Sequence, residues 1–227
     1  MLRGVIEMRS YLTERNLVRA SLVGVPITLA AVPRLIDGGY RLGQSLPVLL
    51  TGMILVAGAA TAWGERAGLP GLFPARPRIL RWSAVAVVLA LLLMPLAFWI
   101  DQTLRGAVAA LGVPELMRLN YPEGAKPVLA VLLWTGGFGT MFLHIAPLCV
   151  FARLTNNLRA SILCTVALRV GIMALHLAKE GVGAAVPLFL VSAAGSAALC
   201  CWLFARGGLL PATLFLVVQE ARLLLGC

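Results

Sequence analysis

Residues 158–181, LRASILCTVALRVGIMALHLAKEG, form an apolar run of membrane length with an arginine near its middle and a histidine near its end. A helix needs about 20 predominantly apolar residues to cross a bilayer, and this run supplies them. At about 100° per residue, Arg169 and His176 lie within about 20° of each other on a helix and Glu180 about 40° further round. One helical face therefore carries a polar stripe of Arg169, His176 and Glu180. An arginine at the centre of a spanning helix costs roughly 2.5–3.5 kcal/mol on translocon scales, so it is expected to face a partner, a bundle interior or a water-filled cavity.

The rest of the chain matches this stretch. Of its 227 residues 60% are hydrophobic and 12% charged, with a mean hydropathy of +0.94, more apolar surface than a water-soluble domain of this size can bury. The formal net charge of +10 would suit nucleic acid, but the basic residues sit in short gaps between apolar runs, as membrane topology requires. The expected partner is the lipid bilayer, with a membrane peptide or protein as a further partner, and not nucleic acid. The five cysteines include no C-x-x-C. Cys149, Cys164, Cys200 and Cys201 lie in apolar runs and read as small buried hydrophobes. Cys227 is terminal and does not fit a prenylation box.

Apolar runs occur at about 17–33, 45–64, 80–100, 127–152, 158–178, 183–205 and 208–225. The expected fold is an all-α polytopic transmembrane helix bundle of six to seven spans in one membrane domain, 1–227. The first run is the weakest, being interrupted by Pro26 and Pro33. Residues 1–19 carry Arg3, Arg9, Arg15 and Arg19 among apolar side chains and read as a basic surface segment or a frayed tail, in preference to a cleaved signal peptide. Residues 101–126 form the longest outer loop, in which Thr103–Leu111 suits a short surface helix ended by Gly112 and Pro114. On one side of the membrane lie Arg3, Arg9, Arg15, Arg19, Arg66, Arg76, Arg78, Arg81, Arg153, Arg159 and Arg206. On the other lie Arg34, Arg41, Arg105, Arg118, Lys126, Lys179 and Arg222. Eleven against seven puts the N-terminus in the cytoplasm by the positive-inside rule, and the expected location is a bacterial inner membrane.

No soluble-enzyme motif is present: G-x-S-x-G, H-E-x-x-H and the P-loop are absent, and no motif calls for a cofactor. His144 and His176 invite a metal site. On consecutive antiparallel spans turning near Thr155, however, their depths differ by about 15 Å at 1.5 Å per residue. Only a broken helix would close that gap, and Trp134-Thr135-Gly136-Gly137 is where the helix could loosen. No metal site is therefore assigned. Arg169 and Glu220 are matched within about 3 Å in depth on spans that run the same way, so they are expected to form an ion pair that locks two helices or holds a substrate. Asp101 reads as a solvated span end, Asn156-Asn157 as a turn, and Glu65 as an interfacial charge paired to Arg66 or Arg76.

Three passages carry a family resemblance. ARLTNNLRASILCTVALRVGIMALH (152–176) resembles the segment of the CPBP intramembrane endopeptidases, the family of CAAX prenyl proteases and bacteriocin-processing proteins, in which a basic turn leads to a helix ending in F-x-x-x-H. RGGLLPATLF (206–215) resembles the turn that opens the family's last core helix, and AGLPGLFPARPR (67–78) resembles one of its cytoplasmic turns. The resemblance implies a helical bundle and peptide hydrolysis, with His176 catalytic. The chain departs from the pattern at the paired glutamates: E-E-x-x-x-R should fall in 142–153, where there is no glutamate. H-x-x-x-N should fall near 216–220, and neither residue is there. The resemblance thus implies either a divergent member using Glu220 as base or one that has lost catalysis. The alternatives from other classes are a small-molecule transporter subunit and a membrane scaffold for an assembly.

Overall fold

The computed structural model describes residues 14–110, 121–180 and 186–226. Residues 1–13 of the expected surface segment 1–19, residues 111–120 of the expected outer loop 101–126 and the side chains of His176 and Glu180 lie outside the described residues; residues 14–19 of that segment are already helical, in the first helix. The described residues form helices joined by short turns: α1 (Glu14–Asp37), α2 (Leu42–Arg66), α3 (Arg76–Ala110), α4 (Ala125–Trp134), α5 (Ala146–Thr155), α6 (Leu158–Glu180), α7 (Val186–Gly207) and α8 (Leu209–Glu220). Between α4 and α5 the helix continues through two π-helical stretches, Thr135–Gly139 and Met141–Ile145, and after α8 through a 3-10 turn, Ala221–Gly226.

Among the described residues, six helices are long and apolar enough to cross a membrane: Asn16–Asp37, Leu42–Arg66, Arg76–Gly106, Ala125–Thr155, Leu158–Leu175 and Pro187–Gly207. The chain is a multi-pass, all-α membrane protein. The first run is one of the six despite Pro26 and Pro33, which lie inside α1. The run that falls short is the last, because α8 has 12 residues. At about 1.5 Å per residue in α8 and 2.0 Å in the 3-10 turn, the two together reach about 30 Å, close to one hydrocarbon thickness.

The third span differs from expectation. It does not stop at Asp101 before a separate surface helix over Thr103–Leu111; α3 runs unbroken for 35 residues to Ala110. Within it the Thr103 hydroxyl donates to the Trp99 carbonyl one turn back at 3.0 Å, which satisfies the hydroxyl inside the helix.

Neighbours in the bundle are α1 with α2 and α4, α2 with α5, α5 with α6, α6 with α7, and α7 with α3 and α8. The short α8 lies against α3, α7 and the first π-helical stretch, which is why Ala212, Phe215 and Leu216 are buried. At the basic end, two of the passages that carry the resemblance meet: the Leu209 N–H donates to the Leu72 carbonyl at 3.1 Å, and Arg78 Nε donates to the Arg206 carbonyl. Gly208 makes this approach with φ +84°, and a Cβ there would sit 2.5 Å from Pro74 Cδ. Trp82 and Trp202 pack edge to face beside it at 5.1 Å, joining α3 to α7. Asn156 takes the left-handed conformation, φ 48°, and the Asn157 carboxamide accepts from the Arg159 and Ala160 N–H groups at the start of α6, which bears out the turn read there. Glu65 pairs across to α1, with Arg19 at 3.1 Å.

Candidate functional site: an intramembrane cavity

The loosening expected at Trp134–Gly137 takes the form of a widened helix. Thr140 Oγ1 donates to the Thr135 carbonyl at 2.8 Å and His144 Nδ1 lies 3.1 Å from the Gly139 carbonyl. Both contacts reach five residues back, to carbonyls that the π-helical register leaves accessible. A carbonyl only accepts, so Nδ1 carries the proton, and in the neutral ring Nε2 is left as an acceptor. Gly136 lets α8 come close, since a Cβ there would lie 2.6 Å from Val217 Cγ2. Trp134, Phe138 and Phe142 stack along the widened helix with centroids 4.3 and 5.0 Å apart.

Beside this stretch lies a cavity of about 530 Å³, bounded by α3, the α4–α5 helix, α6, α7 and α8, with Arg34 of α1 also in its lining. Its polar lining includes His144, Arg169, Ser192, Ser196, Gln219 and Glu220. One wall is apolar, with Leu93, Leu96, Phe189, Leu199 and Leu216. Arg169 is the twelfth residue of α6, which puts it near the middle of the span.

Arg169 and Glu220 therefore do face one space, and the charge of one acts on the other. They make no contact ion pair. The Glu220 carboxylate lies 3.3 Å from Nη1 of Arg222, while Arg169 makes no hydrogen bond or contact ion pair with a described residue. Arg222 also grips Asp101, Nε to Oδ2 at 2.7 Å and Nη2 to Oδ1 at 3.2 Å. Asp101 is thus not a solvated span end; both side chains of this pair are only 16% exposed. The same guanidinium donates to the Gln219 carbonyl at 2.8 Å. Tyr121 closes the cavity at this end, buried and with the Arg105 guanidinium 5.5 Å from its ring centre. Burial first, then the Asp101 carboxylate, pushes the Tyr121 phenol well above its ordinary pKa, so it stays a neutral donor.

Of the sequence-predicted site residues, Arg169 and Glu220 come to the cavity; α6 carries His176 and Glu180 as well, with side chains outside the described residues. His144 lines the cavity while fastened to its own helix, and among the described residues no three His, Cys, Asp or Glu side chains form a metal-binding group. Sequence reasoning missed Arg222, two residues past Glu220, and the serines at 192 and 196. Those serines are four apart in an apolar run, a polar stripe of the same kind as the one read in 158–181. Three of the four cysteines read as buried hydrophobes, Cys149, Cys200 and Cys201, are fully buried, and Cys164 is half-buried. Compared with known family models, curated proteins and solved structures, the chain matches none.

Proposed function

We propose that this membrane protein is a divergent, CPBP-like protein that binds a ligand in its intramembrane cavity and does not cleave peptides. The observation that carries the reading is the state of the two carboxylates that, among the described residues, face the cavity: Asp101 and Glu220 are both held by Arg222. Peptide hydrolysis needs water activated by a free base or by a metal. A carboxylate already accepting from a guanidinium is poorly placed to take that proton, and the 142–153 segment has no acid to replace it. On this reading the chain sits in a bacterial inner membrane with its N-terminus in the cytoplasm.

The test is a quenched transmembrane peptide reconstituted with purified protein in liposomes. No cleavage is expected. Cleavage that disappears on His176→Ala would overturn the reading, and its loss on Glu220→Gln as well would make Glu220 the base.

A second reading, a small-molecule transporter subunit, is favoured by one observation. The fourth span changes its helical register at mid-depth beside the cavity, and transporter substrate sites lie near the midplane at interrupted helices.

A further inference from the structure

We propose that the cavity takes an amphiphile with an oxyanion head group, a carboxylate or phosphate ester on an acyl chain, which enters sideways from the bilayer and is held by Arg169. The inference rests on the reading that the cavity binds a ligand.

Three features point to this class. Arg169 presents a guanidinium to the cavity without a hydrogen bond to a described residue, and the carboxylates that share the cavity are engaged by Arg222. Guanidinium groups in low-dielectric surroundings favour oxyanions, which accept two parallel N–H bonds. His144 Nε2 is an acceptor and does not compete for the anion; it suits a protonated oxygen of the head group.

The wall opposite is apolar, and about 530 Å³ lies within the ordinary range of ligand sites. The route of entry follows from two lining residues that also face outward: Leu96 on α3 is 54% exposed and Val191 on α7 is 67% exposed. The outside of the bundle at their depth is hydrocarbon. Near the basic end the same two helices are closed by the Trp82–Trp202 contact, so the opening is confined to the half of the bilayer nearer Asp101. A chain arriving there lies along Leu93 and Phe189 with its head group directed at Arg169.

The experiment uses the full chain in phosphatidylcholine nanodiscs with diazirine-bearing palmitic acid as probe and diazirine-bearing hexadecanol, equal in chain but uncharged, as its control. The acid should label the segments around Leu96 and Val191 about tenfold or more above the alcohol, the size of one charge-assisted contact. Oleate should compete; butyrate and inorganic phosphate should not. Arg169→Leu should abolish the difference between acid and alcohol, Arg169→Lys should retain part of it, and Leu96→Trp should reduce labelling by both probes. Equal labelling by acid and alcohol in the unmodified protein, which needs no variant to fold, would overturn the anionic head group. Full competition by butyrate or phosphate would overturn entry from the bilayer in favour of a small anion from water. Peptide cleavage is not read here, so failure of this inference and failure of the non-proteolytic reading are separate results.

Discussion

Arg222 and Asp101 meet side-on through two hydrogen bonds, at 2.7 and 3.2 Å, and so tie the far part of α3 to the turn that follows α8. The third guanidinium nitrogen reaches Glu220 and the Gln219 carbonyl. One arginine thus bridges two acids at the cavity. Removing it strands two carboxylates in a half-dry site, whereas Asp101→Asn or Glu220→Gln leaves the guanidinium one carboxylate.

Arg222→Leu is therefore expected to destabilise the protein more than either acid-to-amide change. Loss of one partner of a fully buried pair costs about 3–5 kcal/mol; at 16% exposure and beside a cavity that could admit water, that range is an upper bound. Unfolding in increasing dodecyl sulfate, followed by helical circular dichroism, ranks the three variants. Equal loss for all three would mean that the arginine is solvated and the clasp contributes little.

Gly136 and Gly171 make a matched pair of substitutions. A Cβ at Gly136 would stand 2.6 Å from Val217 Cγ2, whereas at Gly171 nothing lies within 4 Å. Gly136→Ala should cost about 1–3 kcal/mol by overpacking α8 against the widened helix. Gly171→Ala, in the middle of α6, should stabilise by about 0.5–1 kcal/mol through helix propensity. The same dodecyl sulfate titration reads both, and a neutral Gly136→Ala would show that α8 does not pack so closely there.

Topology follows from the basic turns. A reporter fused after Arg78 should read cytoplasmic and one fused after Glu123 external, because eleven Lys and Arg flank one side against seven on the other. Opposite readings at both positions would invert the orientation. Agreement at only one would mean that α3 is not a single crossing.

The spans were legible because hydropathy over about 20 residues is a local property. Depth was legible too: counting residues along spans brought Arg169 and Glu220 to the same cavity. Their lateral relation was not, since it depends on which way each helix is turned and on what else reaches the site. Arg222, two residues from Glu220 and already gripping Asp101, takes the carboxylate first. The length of α3 was hidden for the same reason. Asp101-Gln102 reads as a span end when its counter-charge lies 121 residues away, and the helix continues past it because that charge is matched. At Trp134–Gly137 the glycines signalled a loosened helix. They could not signal that side chains at 140 and 144 would reach carbonyls five residues back while the backbone stays helical.

The central claim is that Arg222, and not Arg169, holds the acids of the cavity, which leaves Arg169 for a ligand. Double-mutant cycles test it directly, comparing Arg222→Leu with Asp101→Leu and Arg169→Leu with Glu220→Leu in the same unfolding assay. The account predicts a coupling on the order of 0.5–3 kcal/mol for Arg222 with Asp101, as for groups in contact, and one below about 0.5 kcal/mol for Arg169 with Glu220. A larger coupling for Arg169 with Glu220 than for Arg222 with Asp101 would contradict it.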